Sequence, residues 1–533
     1  MSSPKLEVLT SFPAGAPVVS DYLEGAPGAV AFYGAHFRDL ADYRRKAEEV
    51  DGRFDRAARE GAASAVIVPR GGNDERLRRF VSEGGYMVTT GQQPGLFGGP
   101  LYNLYKGLTV IRLAESLERA LGKPVLPLFW MGSEDHDWDE ANHTSLIGVD
   151  NELHSFSVAA PEPDRHPPLH RITLGEDAGD ALRRFGKVLP PSEFVDRYLS
   201  LIRDASGPGA TLAGGFSAIL EEVLGPLGIY LTDAAHPRVK ELSRPVLLRD
   251  LDENEELERV LRSTDAALET AGYARQVHLM EGGVNLFLET PSGRERLYRG
   301  DGGFTLHTSG RTVTRSEIVA RFDEDPTVLT PNVFLRPVVE STVFPTLSYV
   351  GGPGEMAYFA QLRGYFEALG VMMPVIHPRH SAVIVETKIR KVLDKFGASM
   401  DFLHRPFHEV AGDLARDEVP EGVAKALGGL KGALARGVAE LQKETATLDP
   451  TLKGPVQHLR SQAFAALEDV EKKILHAVKR ENETALAQLE KAQLHLFPGG
   501  KPQERVLNPF YYLARYGEAF MVTLRDAFTV DLS

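Results

Sequence analysis

The chain has 533 residues, of which 25% are charged, with a formal net charge of -14 and no cysteine. This length exceeds one ordinary hydrophobic core, and the negative charge argues against a dedicated nucleic-acid binder. The absence of cysteine excludes disulfides, zinc–thiolate sites and thiol nucleophiles. No apolar run approaches a membrane span and no signal-peptide core follows Met1, so we expect a cytoplasmic protein with no membrane partner.

The first half of the chain predicts an α/β core. Residues 1–60 show helical spacing of apolar residues, and the core is expected to begin near Ala62. Two apolar runs then end abruptly: residues 86–88 lead into a glycine-rich turn and residues 125–131 into an acidic cluster. A helix-like stretch, 101–121, separates them. Because ligands bind at the carboxyl ends of parallel strands, the two polar ends predict one shared site.

The second half continues this core and interrupts it twice. Apolar runs at 229–233 and 371–376 also end in polar residues, which is typical of a doubly wound sheet. Residues 146–215 have closely spaced prolines and predict loops, whereas residues 272–312 alternate and carry glycine-rich hairpin signals. We expect both to be insertions, the second largely β. The core segments would then be 1–145, 216–271 and 313–385.

Residues 386–497 predict a helical coiled-coil arm. Apolar residues at alternating spacings of three and four (423–441) are followed by a break at Asp449-Pro450 and a second amphipathic stretch (459–478). This pattern predicts an antiparallel helical hairpin. It is consistent both with packing on its own domain and with pairing of two subunits. The aromatic segment 498–533 is expected to pack back on the core.

The glycine-rich turn suits an anionic ligand. N–H groups at a helix N-terminus attract anions and glycine lets a phosphate approach closely, so Gly98 and Gly99 are candidates, with Lys106 adding a positive charge. Asn103 lies on the same face of the helix as Lys106. The turn matches neither a Walker loop nor the dinucleotide fingerprint, so a turn that needs glycine for backbone reasons stays open. The neutral residues at this strand end, suited to an amide or a sugar hydroxyl, are Gly91, Gln92 and Gln93.

The acidic cluster contains Glu134, Asp135, His136 and Asp137. Carboxylates beside an imidazole raise its pKa and fix its tautomer, which suits a general base. His136 is therefore the candidate base, oriented by Asp135 or Asp137. The same residue types bind divalent metals, so a metal-dependent hydrolase is an alternative.

More polar residues close the later elements. Arg336 is a candidate clamp for a carboxylate or phosphate, because its guanidinium binds such groups in two places. Three glycines before a helix that opens at Glu355 predict a second anion pocket. The candidates from this part of the chain are Arg336, Tyr349, Gly351, Gly352, Gly354, His377 and Arg379.

With these motifs assembled, the chain resembles the BshC family, cysteine ligases of bacillithiol biosynthesis. The resemblance rests on TGQQPGLFGGPLY at 90–102 with Lys106, FWM at 129–131, EDHD at 134–137, SYVGGPGE at 348–355, HPR at 377–379 and QER at 503–505. It implies a Rossmann-like core similar to class I aminoacyl-tRNA synthetases and nucleotidyltransferases, with insertions. It also implies a coiled-coil arm that forms a homodimer. The synthetase signature would fall near 97–100, where its histidines are absent.

The resemblance implies that L-cysteine is joined to the amine of glucosaminyl-malate to give bacillithiol. Because a carboxylate and an amine do not condense usefully in water without activation, ATP is the expected cofactor, with Mg²⁺ as its candidate companion. His136 would take the proton of the attacking amine. The remaining roles are phosphate binding by Gly98, Gly99, Lys106, Gly351, Gly352 and Gly354, malyl carboxylate binding by Arg336 or Arg379, and substrate binding by Gly91, Gln92, Gln93, Asn103, Glu134, Tyr349 and His377.

Three other functions remain open. A nucleotidyltransferase of another small substrate would use the same site at the strand ends. A metal-dependent hydrolase would use Asp135, His136 and Asp137 as metal ligands. An assembly protein would act through the arm alone.

Overall fold

The computed structural model of this protein describes residues 6–72, 74–160 and 165–533. Residues 1–5 of the predicted helical N-terminal region and 161–164 of the first predicted insertion lie outside the described residues, as does Asn73. The chain divides into two compact units. Unit 1 comprises Met1–Ile384 and Gln503–Ser533, and unit 2 comprises Val385–Pro502.

Unit 1 contains both helices and strands. From the N-terminus they are β1 (Leu6–Ser11), α1 (Pro17–Leu23), α2 (Pro27–Tyr33), α3 (Leu40–Asp51), α4 (Arg56–Ser64), α5 (Asp74–Ser82), β2 (Tyr86–Gln92), α6 (Tyr102–Leu121), β3 (Val125–Met131), α7 (Trp138–Ala141), β4 (His143–Ile147) and β5 (Leu153–Ser157). Next come α8 (Glu176–Val188), α9 (Val195–Ser206), α10 (Leu212–Leu224), β6 (Tyr230–Asp233), α11 (Pro237–Thr270), β7 (Gly283–Thr290), β8 (Gly293–Gly300), β9 (Gly303–Leu306), β10 (Thr312–Val313), α12 (Arg315–Glu324), β11 (Leu329–Pro331), α13 (Leu335–Val343), β12 (Thr346–Gly351), α14 (Pro353–Phe359), α15 (Arg363–Ala368), β13 (Val375–Pro378) and β14 (Ser381–Glu386).

Helices make up unit 2 and the returning C-terminal segment. They are α16 (Thr387–Phe396), α17 (Met400–His404), α18 (Phe407–Asp417), α19 (Glu421–Leu448), α20 (Lys453–Glu481), α21 (Glu483–Leu496), α22 (Gln503–Val506), α23 (Phe510–Tyr516) and α24 (Glu518–Ala527). Among the helices of the described residues, none is both long enough and apolar enough to cross a bilayer.

A parallel sheet forms the core of unit 1, with strand order β13-β12-β2-β3-β6. All seven residues of β3 are buried, as expected where both faces of a parallel sheet are covered. Gly91 at the end of β2 lies opposite Trp130 of β3, and Tyr349 of β12 lies opposite Thr89. The polar residues that follow these strands therefore share one edge, and the predicted α/β core with a parallel sheet is confirmed.

The two stretches expected to be insertions differ in structure. In the second, β7 to β10 form an antiparallel sheet that β11 completes in the order β10-β9-β8-β7-β11. In the first, residues 146–215, the prediction of loops is wrong for the later part, because α8, α9 and the start of α10 occupy most of 176–215. The closely spaced prolines precede α8, whose own sequence has the amphipathic pattern of a helix. Its buried face consists of Ala178, Ala181, Leu182 and Phe185.

In unit 2, α19 and α20 form a hairpin joined at Asp449-Pro450. The Asp449 carboxylate accepts a hydrogen bond from the backbone N–H of Thr451 at 2.8 Å, which stabilises the turn. Lys431 of α19 forms an ion pair with Glu471 of α20 at 2.6 Å, consistent with antiparallel helices. Several apolar residues of the hairpin stay exposed, Leu430 by 55% and Leu441 by 42%.

Candidate functional site

A cavity of about 630 Å³ lies in unit 1 at the carboxyl ends of β2, β3 and β12. Most residues predicted from the polar strand ends line it. They are Gly91, Gln92, Gln93, Lys106, Glu134, Asp135, His136, Arg336, Tyr349, Gly352, Gly354 and Arg379. Residues from six separate segments of the sequence therefore meet in one cavity.

The antiparallel insertion supplies a wall of the cavity that was not predicted. Phe287 on β7 and Arg294 and Arg296 on β8 all line it. The two arginines are separated by one residue, so their side chains leave the same face of the strand. This alternation was visible in the sequence. Nothing in it showed that this face would turn toward the ends of the core strands.

His136 and Asp135 form the part of the cavity with acid–base character. The Nδ1 atom of His136 lies 3.4 Å from Asp135 Oδ1 and 3.3 Å from Arg294 Nη1. Asp135 also accepts hydrogen bonds from the side chain of Gln93 and from the His136 backbone N–H. Burial opposes ionisation of Asp135, but hydrogen bonds from His136 and Gln93 and the charge of Arg294 outweigh it and hold its pKa well below the usual range. Asp135 is therefore a carboxylate at neutral pH.

Glu134 is held by a partner from outside the predicted clusters. The ammonium group of Lys240 on α11 pairs with Glu134 Oε1 and donates a second hydrogen bond to the Leu329 carbonyl at 2.8 Å. Both side chains are almost completely buried. Burial raises the pKa of Glu134, and the charge of Lys240 opposes that rise. This pair anchors the loop after β3 to α11.

Lys106 lies at the floor of the cavity, engaged with the end of β2 and with α14. Its Nζ atom forms an ion pair with Glu355 at 2.6 Å and donates to Gln92 Oε1 at 3.0 Å. Glu355 also accepts hydrogen bonds from the Gly352 backbone N–H at 2.8 Å and the Tyr349 hydroxyl at 2.5 Å. Burial lowers the pKa of Lys106, and the adjacent Glu355 carboxylate opposes this effect.

The two arginines predicted to clamp a ligand already have protein partners. Arg336 donates to Glu340 at 2.8 Å and to the Tyr349 hydroxyl at 3.2 Å. Arg379 forms two parallel hydrogen bonds with Glu504 of α22, at 2.9 and 2.6 Å, and both side chains are at most 5% exposed. Arg379 therefore ties the C-terminal segment to the core sheet.

The glycine-rich turn does not present Gly98 and Gly99 to the cavity. Gly98 packs against Ile219, and the Gly99 carbonyl accepts a hydrogen bond from Asn508 Nδ2 at 3.2 Å. Asn103 is buried and donates to the Gly98 carbonyl at 3.1 Å. The backbone N–H groups of Gly98 and Gly99 bond to carbonyls within the turn. Hydrogen bonds inside the protein thus replace the predicted phosphate contacts.

Three other predicted residues also lie away from the cavity lining. Asp137 is exposed and accepts a hydrogen bond from the Glu140 backbone N–H at 3.2 Å, as the N-cap of α7. Gly351 is buried within β12, where its carbonyl accepts from the Arg379 N–H. His377 is buried beside Phe12 and Phe37, and burial lowers its pKa to about 3. Strand-end position alone did not separate these residues from those that face the cavity.

Asp135 and His136 are in contact, but the third ligand of the hydrolase hypothesis, Asp137, does not join them in a cluster of three. Within residues 6–72, 74–160 and 165–533, the group of three whose ligand atoms lie within 4.8 Å of one another is Asp150, Glu152 and His154. It lies at the turn between β4 and β5, outside the cavity lining. Asp135 instead pairs with Arg294, and Asp137 caps a helix.

Sequence comparison assigns both parts of the chain to one family. Residues 3–380 match the family described as "Bacillithiol biosynthesis BshC, N-terminal Rossmann-like domain", and residues 382–530 match "Bacillithiol biosynthesis BshC, C-terminal coiled-coil domain". The chain belongs to the BshC family. The predicted Rossmann-like core and coiled-coil arm are thereby confirmed.

Individual BshC relatives match along most of their length. A protein of Koribacter versatilis is 30% identical over 530 residues, which cover 97% of this chain and 96% of the relative. A protein of Salinibacter ruber is 34% identical over 473 residues, 87% of this chain and 85% of the relative. Both carry the name "Putative cysteine ligase BshC".

The structure refines the division of this BshC chain into two domains. The coiled-coil match extends to residue 530, but the segment from Gln503 onward belongs to unit 1. Its Glu504 binds Arg379, and its Asn508 binds the carbonyls of Phe97 and Gly99. The last segment therefore helps to build the Rossmann-like unit that contains the cavity.

Proposed function

We propose that this protein is a cysteine ligase that joins the carboxyl group of L-cysteine to the amine of glucosaminyl-malate, forming bacillithiol. Family membership and the names of its relatives support the ligase reaction. The observation that carries the proposal is a one-third exposed imidazole, His136, in contact with the carboxylate of Asp135 in the cavity wall. Such a pair suits the removal of a proton from the amine substrate of an amide-forming ligase.

Two contacts of His136 bear on which of its ring nitrogens could act as the base. When Nδ1 carries the proton it donates toward Asp135, and Nε2 is left with a lone pair for the amine proton. When Nδ1 instead accepts from Arg294, Nε2 carries the proton and cannot be a base. Because Asp135 stays ionised, it favours the first arrangement and stabilises the imidazolium that forms after proton transfer.

The proposal includes ATP-dependent activation of the cysteine carboxyl group. A free carboxylate resists attack by an amine, whereas an acyl phosphate or acyl adenylate reacts readily. Among the residues predicted to bind phosphate, Lys106, Gly352 and Gly354 line the cavity. Lys106 and the Gly352 N–H already bind Glu355, so these groups do not fit a phosphate site in this arrangement. The reason for proposing ATP is therefore chemical, and no step is assigned to those residues.

We also propose that two copies pair through the α19–α20 hairpin. Leu430 and Val470 are 55% and 47% exposed, and apolar positions at coiled-coil spacing favour a helical partner. Replacing Leu430 with glutamate should shift the molar mass, measured by light scattering, from dimer to monomer. A dimer that persists at the same concentration would contradict this surface as the interface.

The reaction itself is tested with purified full-length protein, L-cysteine and glucosaminyl-malate, with and without ATP, and mass detection of bacillithiol. We expect product only when ATP is present. The variant His136→Ala should lower kcat by about a hundredfold or more, the size of a lost general base. His154→Ala is the matched control, because His154 lies outside the cavity lining, where its side chain is hydrogen-bonded to Asp150. Full activity of His136→Ala would overturn the assignment, and no product in any condition would overturn the function.

A further inference from the structure

Two arginines of β8 line the same cavity but differ in their electrostatic surroundings. Arg294 lies 3.4 Å from Asp135, and it donates to Thr330 at 2.8 Å and to the Pro331 carbonyl at 2.7 Å. Its side chain is only 7% exposed, so these contacts replace water at nearly all of its polar surface. Arg294 is thus a fixed part of the protein framework.

Arg296 has no carboxylate partner within the described part of the chain. Its guanidinium lies 5.1 Å from the ring centroid of Phe287, the residue directly opposite on β7. Burial lowers the pKa of Arg296, and the nearby Tyr298 opposes this effect only in part. The side chain is therefore a partly desolvated cation that an aromatic ring holds against the cavity wall.

Such a cation is unfavourable until an anion binds it. Removing a guanidinium from water costs free energy that a paired carboxylate recovers, and the planar fork of arginine binds a carboxylate at two points. Two arginines that the core contributes to the lining, Arg336 and Arg379, cannot serve equally well. Arg336 is engaged by Glu340 and Arg379 by Glu504, so a ligand carboxylate would have to displace a buried protein carboxylate.

We propose that Arg296 binds a carboxylate of the amine substrate, so that the antiparallel insertion selects substrates bearing a dicarboxylic acid group. The inference rests on the proposed function, in which the amine substrate carries a malyl group with two carboxylates. It moves the carboxylate-binding role from Arg336 and Arg379 to the insertion. The reacting amine of the same substrate would then lie at the edge of the core sheet, beside His136 and Asp135.

The direct test is calorimetric titration of the full-length protein with malate, and with glucosamine as a ligand that lacks carboxylates. Arg296→Gln should weaken malate binding about tenfold to a hundredfold, the size of a lost charge-assisted hydrogen bond, and leave glucosamine binding unchanged. The malate affinity of Arg296→Lys should lie between those of the wild type and Arg296→Gln, because lysine keeps the positive charge but lacks the planar guanidinium that binds a carboxylate at two points. The unfolding temperature of Arg296→Gln without ligand should not fall, because no ion pair among the described residues is removed.

Arg299→Gln is the matched control on the same strand. Arg299 pairs with Glu258 and is absent from the cavity lining, so this variant should lose stability and keep malate affinity. The proposal is overturned if Arg296→Gln keeps the malate affinity of the wild type. It is also overturned if Arg299→Gln loses as much malate affinity as Arg296→Gln does.

A kinetic measurement separates this inference from the proposed function. In the ligase assay, Arg296→Gln should raise the KM for glucosaminyl-malate with little change in kcat. Product formation with an unchanged KM would refute the role of Arg296 while the ligase function stands. Absence of product in the wild type, together with malate binding that depends on Arg296, would refute the function and support the carboxylate site.

Discussion

The ion pair between Arg379 and Glu504 should be among the most sensitive points of unit 1. Glu504 accepts two hydrogen bonds from Arg379 and one from the Ser381 hydroxyl at 2.7 Å, and it is only 4% exposed. Replacing it with glutamine leaves the Arg379 guanidinium buried without a counterion. Breaking a buried pair from one side costs about 3–5 kcal/mol. We therefore expect Glu504→Gln to lower the free energy of unfolding of unit 1 by that amount.

Tryptophan fluorescence during urea unfolding measures this loss selectively. The chain has two tryptophans, Trp130 and Trp138, and both belong to unit 1. The matched control is Glu518→Gln, which removes an ion pair with Arg197 whose side chains are 71% and 50% exposed. An exposed pair contributes about 0–1 kcal/mol, so the control should unfold at nearly the wild-type urea concentration.

A double variant checks the cause of the loss. Arg379→Met combined with Glu504→Leu removes both charges, and replacing a buried pair with apolar side chains is often neutral or stabilising. The double variant should therefore be more stable than Glu504→Gln alone. If Glu504→Gln behaves like the surface control, or if the double variant is the least stable of the three, the reasoning is refuted.

Three further predictions concern other buried polar groups. Burial lowers the pKa of His377 to about 3 and that of His380 to about 4, so both stay neutral in the folded chain. Lowering the pH from 7 to 5 should therefore reduce the free energy of unfolding by about 2 kcal/mol for each histidine, because only the unfolded state takes up the protons. The variant His380→Gln should reduce this pH dependence, measured by urea unfolding. Lys240→Met should destabilise unit 1 by about 3–5 kcal/mol at pH 8, because it leaves the Glu134 carboxylate buried without a counterion. Burial raises the pKa of Glu134, so the loss should shrink as the pH is lowered and this group takes up a proton; a loss independent of pH would contradict this. Asn508→Ala leaves the carbonyls of the glycine-rich turn without their donor and should cost at least about 2 kcal/mol, so an unchanged urea midpoint would exclude a structural role for this amide.

The core sheet and its polar edge could be predicted because both follow from local patterns. The buried runs of β2 and β3 are continuous, and each ends where polar residues begin, so strand ends and cavity coincide at Gln93 and Asp135. The hairpin of unit 2 could be predicted for the same reason, because the heptad spacing and the proline break lie within about 60 residues of sequence. The patterns that mark these features are local in the sequence, although the strands themselves pair over long distances.

The details that could not be predicted depend on distant partners. Gly98 and Gly99 resemble a phosphate turn, but Asn508 lies about four hundred residues away in sequence and takes the Gly99 carbonyl. Arg379 resembles a ligand clamp until Glu504 is placed beside it. Arg296 shows the reverse case, because alternation identifies its face of β8 but not what that face meets. Sequence pattern reports which side chains are polar, whereas long-range packing decides which of them remain available.

The return of the chain to unit 1 after residue 502 has a consequence for biosynthesis. A ribosome synthesises the whole helical hairpin before it synthesises Gln503–Ser533. Until then, the Rossmann-like unit of the nascent chain lacks its C-terminal segment. Premature termination within unit 2 would yield a polypeptide that contains nearly all of the residues lining the cavity. It would still lack Glu504, the partner of Arg379.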